Sequence, residues 1–475
     1  MKKRIIVTIV LILIILLSIA GIIYYSTKVE LKIGNEVLQF NILTSEKDKI
    51  NLNSLIAEKL DIKKTGLVTV MVNDIEIKDN YSFENLEVSK EKLIKIDINY
   101  LFGIVKKTYH INTLPDDFPE YEVNGESKYE GDYYFSTYNN VMPPYYLMKL
   151  DQKGNILYYK KTDEVTFDFK KIYIDGNVRY TYLQTVKDGT IQVSNSSYCP
   201  TELTIMNEKY EIIDRVRFLN QDGTTQPLEN HESIILGENH YILATFREET
   251  VDNIPTTAQR KISNNKVTNN IIEEVKDGKI LWQFQTIDYP ELYEYYDDTG
   301  SMLAEYKDYV HYNSASVDSN DGNLLCSFRN TNTILKINRE TGKLMWVLGG
   351  KGDQFGLTEE QKFAKQHAVT SLEDGSILIF NNGTYEQNST IIKIRLDEKN
   401  KKVLEYKAYN IGENSIFMGS AQLLEDNQDI SLICYGGVRF SKHKVLEEIN
   451  LKTNETYFTF DFKNSKYMFR AHKIK

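Results

Sequence analysis

Cysteine is nearly absent from this chain: three residues in 475, Cys199, Cys326 and Cys434, with no CxxC pair. That excludes a disulfide framework or a thiolate zinc site as an organising device, and one bridge is the most the thiols allow. Basic excess is absent too. Lys and Arg total 57 against 67 Asp and Glu, a formal charge of -10, and no basic stripe of the kind that neutralises phosphates occurs, so nucleic acid is not an expected partner. Proline is scarce and uneven: none of the eight lies before Pro115. What remains, 41% hydrophobic and 26% charged, is ordinary globular composition.

Long apolar runs are confined to the N-terminus. Lys2-Lys3-Arg4 precedes an apolar stretch from Ile5 to Tyr24, roughly 20 residues, enough to cross the hydrocarbon layer of a bilayer as a helix. Residues 1–26 therefore read as a signal anchor. A cleaved signal peptide is the rival, with small residues at Ser18-Ile-Ala20, but Gly21-Ile-Ile-Tyr24 continues the apolar run. Either reading puts the rest in an extracytoplasmic space, as a single-pass membrane protein or a secreted one.

Leu114-Pro115-Asp-Asp-Phe-Pro119 stops regular structure and marks a domain boundary. Before it, residues 27–114 alternate apolar and polar in short runs such as Leu67-Val-Thr-Val-Met71 and Leu93-Ile-Lys-Ile-Asp-Ile98, with a helical patch around Leu55 to Leu60. This predicts a small β-sandwich without a catalytic group, and His110 reads as a linker residue. After the boundary, over 115–475, one hairpin recurs: Tyr146–Tyr158, Leu203–Ile213, Ile271–Trp282, Ile334–Trp346, Ile392–Leu404 and Leu446–Phe458. A second hairpin precedes most copies, as at Thr185–Gln192 and Leu372–Leu378. Two hairpins make a four-stranded blade, and six copies predict an all-β fold, a six-bladed β-propeller with a central channel. Trp282 and Trp346 close equivalent repeats and read as blade packing.

Three of the seven histidines, His231, His311 and His367, stand at the same phase of successive repeats, each ahead of a polar turn and an apolar strand. Equivalent positions in a circular repeat converge on the axis. His240, His443 and His472 lack that phase. Leu324-Leu-Cys-Ser-Phe-Arg329 ends its strand in an arginine whose donor fork suits an oxyanion; Arg247 stands at the matching place after His231 and widens the positive pocket. Three converging histidines also suit zinc with an open position for water, hence a metal-dependent hydrolase, although Arg329 opposes a cation. A non-catalytic ligand-binding surface propeller is the third reading.

The run His311-Tyr-Asn-Ser, Ser327-Phe-Arg329, Leu344-Met-Trp-Val-Leu-Gly-Gly350, Phe363-Ala-Lys-Gln-His367 and Ile379-Phe-Asn-Asn-Gly383, with Gly419-Ser-Ala-Gln422 and Phe469-Arg-Ala471, resembles the bacterial arylsulfate sulfotransferases. The resemblance covers nearly everything after Pro115. It implies a six-bladed propeller, work outside the cytoplasm, and sulfuryl transfer from a phenolic sulfate ester to a phenolic acceptor without a nucleotide donor, cofactor or metal. It also implies His367 as nucleophile, with His231, His311 and Arg329 as further pocket residues and Asn313 as a contact to the sulfate. Partners expected on this reading are the aryl sulfate, the phenol, the membrane through the N-terminal segment, and a second copy in a homodimer.

The segment before His367 carries a capping-box pattern at Thr358 and Gln361, predicting a short helix at the rim. Phe355, Phe363 and the insertion Tyr289–Asp298 are rim candidates for an aromatic substrate, although packing is the commoner role of such residues.

Overall fold

The computed structural model describes residues 15–475 apart from 34–35, 45–49, 53–58, 66–67, 73, 78–80, 83–92, 114–116, 139–142, 155, 188–197, 298–304, 385–387, 425–428, 439–443 and 464–466. His443 and the first fourteen residues of the expected anchor lie outside the described residues. Residues 15–26 are helical, and among the described residues no helix is long and apolar enough to cross a membrane. All three cysteines are free.

The chain divides into two units, Met1–Phe118 with Asn155–Tyr159, and Pro119–Gly154 with Lys160–Lys475. In the first, a four-stranded and a five-stranded sheet share one core. Alternation places Val68, Val70 and Val72 from one sheet and Val29 and Leu31 from the other on buried faces, joined by Ile96, Ile98 and Tyr109. Residues 55–58 of the expected helical patch lie outside the described residues, and its end, Leu60, is extended in the strand Lys59–Lys64, paired with Val29–Ile33. There the ladder, not local propensity, decides the conformation.

The second unit is all-β. Six antiparallel sheets follow one another: the first contains Asp132–Tyr138, the second Thr166–Ile174, the third Ile234–Gly237, the fourth Tyr312–Val317, the fifth Val369–Ser371 and the sixth Ser420–Leu423. Five of the six recurrent hairpins lie on the outer two strands of a sheet and the sixth, Leu446–Phe458, lies one strand further in, because the apolar run, polar turn and apolar run give ladder, turn and ladder. Leu372–Leu378 turns between the first two strands of the fifth sheet. In the second sheet that inner turn falls instead at Asp175-Gly176, between Thr166–Ile174 and Asn177–Thr185; residues 188–192 of the expected hairpin lie outside the described residues.

Sequence-distant strands complete two sheets. Tyr467–Ile474 pairs with Asp132–Tyr138 in the first, and Tyr121–Gly125 pairs with Thr456–Phe462 in the sixth. The edge strands then pack on one another: Tyr467–Ile474 against Thr166–Ile174 and Ser420–Leu423, and Tyr312–Val317 against Val369–Ser371. Apolar faces between sheets form continuous cores, including the one uniting Ile242, Ile272, Tyr309, Leu335 and Val347. Trp282 and Trp346 are buried, their indole N–H groups donating to Glu274 (3.0 Å) and Glu398 (2.9 Å).

Candidate active site

Each in-phase histidine stands just before the edge strand of its sheet: His231 before Ile234–Gly237, His311 before Tyr312–Val317 and His367 before Val369–Ser371. Those edge positions bring the three rings together. His231 lies in the middle, its ring centroid 5.2 Å from that of His311 and 5.6 Å from that of His367. Phe469 caps the group, 5.6 Å from His231 and 5.2 Å from His367. All three histidines are buried.

Their Nδ1 partners separate them. His231 Nδ1 lies 2.7 Å from Glu229 Oε2, and Glu229 Oε1 accepts the backbone N–H groups of His231 and Glu232 at 2.9 Å each. His311 Nδ1 lies 2.6 Å from Asp308 Oδ2; the Tyr198 hydroxyl sits 2.9 Å from Asp308 Oδ1 and 3.0 Å from Asn270 Oδ1. Burial, then Asp308, pushes the Tyr198 phenol well up, so it stays a donor. His367 has no carboxylate: its Nδ1 lies 2.8 Å from the Gly419 carbonyl. A carbonyl only accepts, so Nδ1 carries the proton and Nε2 keeps its lone pair. That Nε2 is buried without a hydrogen-bond partner. Burial above all, then the charges of His231 and Arg470, holds the His367 imidazole well below its usual range and therefore neutral.

The backbone is bent to serve this arrangement. His311 has φ 57°, the left-handed region that a non-glycine side chain enters at functional sites under tertiary constraint. Arg329 and Asn330 hold the turn, their N–H groups donating to the His311 and Val310 carbonyls. Gly419 stands at the phase position of the next sheet with φ 93°; a Cβ there would meet Phe380 at 2.7 Å and the Cys434 carbonyl at 2.9 Å. Only glycine lets the 419 carbonyl approach His367. Gln366 pins the preceding peptide, its amide donating to Thr333 O (3.0 Å), Ser327 Oγ (3.1 Å) and Phe328 O (3.2 Å).

The guanidinium whose charge reaches both His231 and His367 belongs to Arg470 on the C-terminal strand. It is buried; Nη1 binds Glu232 and, at 3.3 Å, Asp168, Nη2 donates to the Asn313 carbonyl at 3.3 Å, and Nε has no partner. Lys170 lies 2.5 Å from Asp168 and 2.9 Å from Glu232, and His472 2.8 Å from Asp168. Burial opposes the Asp168 charge, but Lys170, Arg470 and His472 hold its carboxyl well below the usual range. Behind Arg470 a cavity of about 360 Å³ is lined by Glu232, Ser314, Ser420 and His472.

The other expected residues take different places. Arg329 is half-buried, not buried, and opens a short 3-10 turn with Nη1 donating to Asn330 at 3.0 Å. Arg247 donates to Asn220 (2.7 Å) and Gln226 (3.3 Å). The Asn313 amide donates to the Gln366 carbonyl at 2.7 Å, bracing the peptide before His367. Thr358 and Gln361 make the capping box around the 3-10 turn Glu359–Gln361, whereas Phe355 and Phe363 are packed in a core with Trp346. In the insertion, Leu292, Tyr293 and Tyr296 are likewise core residues. Outside its phase, His240 pairs with Glu274 at 2.7 Å.

Sequence reading missed Glu229, Asp308, Tyr198 and Arg470 as site residues. The first two had a signal: an acid stands two residues before His231 and three before His311, and none stands in the six residues before His367. Arg470 is on a strand donated to another sheet and shares no phase with the histidines.

The arylsulfotransferase (ASST) family model matches residues 120–470. The chain belongs to that family. His231, His311 and His367, with Glu229, Asp308, Gly419 and Arg470, lie within the match, and membership supports aryl sulfotransferase activity in general. No curated protein matches the chain. Solved structures similar to this chain include a protein from Lactobacillus plantarum, 8% identical over 73% of this chain and 99% of its own, TM-score 0.37. Another is hydrazine synthase of Kuenenia stuttgartiensis, 10% identical over 74% and 99%, TM-score 0.33. A DUF4623 family protein from Bacteroides eggerthii is 11% identical over 90% and 82%, TM-score 0.32.

Proposed function

We propose that the protein is an arylsulfate sulfotransferase that moves a sulfuryl group from a phenolic sulfate ester to a phenol by a ping-pong mechanism through a sulfohistidine at His367. The observation that carries this reading is the buried, unpartnered Nε2 lone pair of a histidine whose other nitrogen is tied to a carbonyl. In the first half-reaction Nε2 attacks sulfur, the S–O(aryl) bond breaks, and the phenolate takes a proton from His231 or His311. In the second, the acceptor phenol loses its proton to the same imidazole, its oxygen attacks sulfur, and the N–S bond breaks. Sulfuryl transfer resembles phosphoryl transfer in a loose transition state with charge on the equatorial oxygens. Arg470, fixed by two carboxylates, supplies preorganised positive charge, and its unpartnered Nε–H is a donor for those oxygens.

The two acid-backed histidines suit proton handling, because a carboxylate at Nδ1 fixes the tautomer and stabilises the imidazolium. The six sheets are read as blades of a closed six-bladed propeller, since the first and last sheets each borrow a strand from the other end of the chain. Residues 1–26 are read as a membrane anchor, with the catalytic unit extracytoplasmic.

Incubation with an aryl sulfate alone is expected to leave a sulfuryl adduct on the peptide containing His367, read by mass spectrometry. No donor-dependent adduct, or one that persists in His367→Ala, overturns the covalent mechanism.

A further inference from the structure

The first unit has an apolar end. The pairs Val29 with Phe40 and with Lys64, Val68 with Tyr100, and Tyr100 with Val105 set the register of both sheets. Thr65 joins the sheets there, donating its N–H to the Lys28 carbonyl and its hydroxyl to Ser26 O. The helix ending at Ser26, the turn Ile42–Thr44 and the hairpin tip Leu101–Ile104 therefore share one end of this unit; Thr27 Oγ1 also accepts the Ile42 N–H at 3.4 Å.

That end exposes large apolar side chains: Phe102 86%, Ile104 80% and Leu43 74%. At the tip, Leu101 (φ 50°) and Phe102 (φ 58°) are both left-handed, a conformation that bulky residues avoid. The helix leading in is apolar and exposed too, with Leu17, Ile22 and Tyr25 each about two-thirds exposed. Tyr24 and Tyr25 lie beside Lys28, whose Nζ is 5.4 and 4.7 Å from their ring centroids. Lys28 and Lys106 are exposed at the same end.

We propose that this end of the first unit is a membrane-contact surface, in which Phe102, Ile104 and Leu43 insert into the interface of an anionic phospholipid bilayer while Lys28 and Lys106 face its headgroups. The proposal rests on the reading that the N-terminal helix is seated in a bilayer. Large exposed apolar side chains gathered at one end of a unit mark an interaction site. Three features select lipid: continuity with the apolar run from Ile5, tyrosines at the helix end in the place of an aromatic belt, and bases flanking the apolar tip.

The test uses the full chain in vesicles of phosphatidylethanolamine and phosphatidylglycerol, in a Cys199→Ser background, since Cys326 and Cys434 are fully buried. An environment-sensitive fluorophore is placed at Phe102→Cys, Ile104→Cys, Leu17→Cys and, as control, Asp74→Cys in the turn at the opposite end of Val68–Val72. Expected at 102 and 104 are a blue-shifted emission, quenching by shallow nitroxide lipids and protection from aqueous iodide, with position 74 the reverse. Iodide access at 102 and 104 with 17 protected overturns the contact surface alone; access at 17 overturns the anchor reading and the surface with it. Protection at 102 without lipid quenching means that protein covers the tip, and also overturns the proposal. None of these readouts uses turnover, so they stand apart from the sulfuryl-transfer assay.

Discussion

Two clusters of buried charge occupy the catalytic unit. Around Lys336, buried completely, Asp318 lies at 2.7 Å, Asp321 at 2.8 Å and Glu398 at 2.5 Å, with Glu398 also accepting the Trp346 indole N–H. These three acids have the spacing of a cation site, and the ammonium fills it. Around His367 the same kinds of group converge, yet His367 Nε2 and Arg470 Nε have no partner. Leaving a buried polar atom unpaired costs about 1–3 kcal/mol, so such atoms persist where a ligand will meet them. At Lys336 the charged groups close on one another, whereas at His367 a lone pair and a donor stay open.

The sharpest test of this contrast is His367→Ala, expected to lower aryl sulfate turnover by at least about 10⁴-fold, as loss of a covalent nucleophile does, with little change in thermal midpoint. A variant that unfolds, or that retains turnover, erases the distinction. Lys336→Met should do the opposite. Leaving three carboxylates facing one another without a cation is expected to cost about 3–5 kcal/mol in chemical denaturation, with near-normal turnover well below the midpoint. Asp308→Asn is expected to slow transfer about 10²-fold for donors with weakly acidic phenols and much less for a nitrophenyl donor, because a good leaving group needs no proton. Equal slowing of all donors would make Asp308 a brace like Asp318.

The smallest effect is on pH dependence of stability. Burial lowers the His231 and His367 imidazoles, against the pull of Glu229 at His231 and with the charges of His231 and Arg470 at His367, so below an unfolded pKa of about 6.5 the unfolded chain binds protons that the native one refuses. Stability therefore falls as pH drops through that value, by up to about 1.4 kcal/mol per pH unit for each group. Denaturation midpoints between neutrality and mild acid should show this slope. His367→Ala should flatten it, and an unchanged slope would remove His367 from the set.

Much of this was legible because the ring repeats. His231, His311 and His367 share a phase, and phase along an edge strand fixes position in space. The outer hairpins were legible for the same reason, since alternation and turn residues are local. Arg470 was not, because it reaches the histidines through pairing of Tyr467–Ile474 with Asp132–Tyr138, a relation between chain ends that no local pattern encodes. Arg329 was legible for the converse reason. It ends a strand at the level of His311, with Nη1 donating to Asn330. The His367 assignment itself came from family resemblance; the structure adds a chemical reason, the carbonyl of Gly419 in place of a carboxylate.

Arg470 meets Asp168 across 302 positions of sequence. Until Tyr467–Ile474 has been synthesised and has docked, Asp168, Lys170 and Glu232 hold two negative charges against one positive, and the three histidines lack the guanidinium beside them. The site thus acts as its own check on completeness. A nascent or clipped chain missing those last strand residues carries His231, His311 and His367 and is expected to be inert, so activity reports finished molecules only.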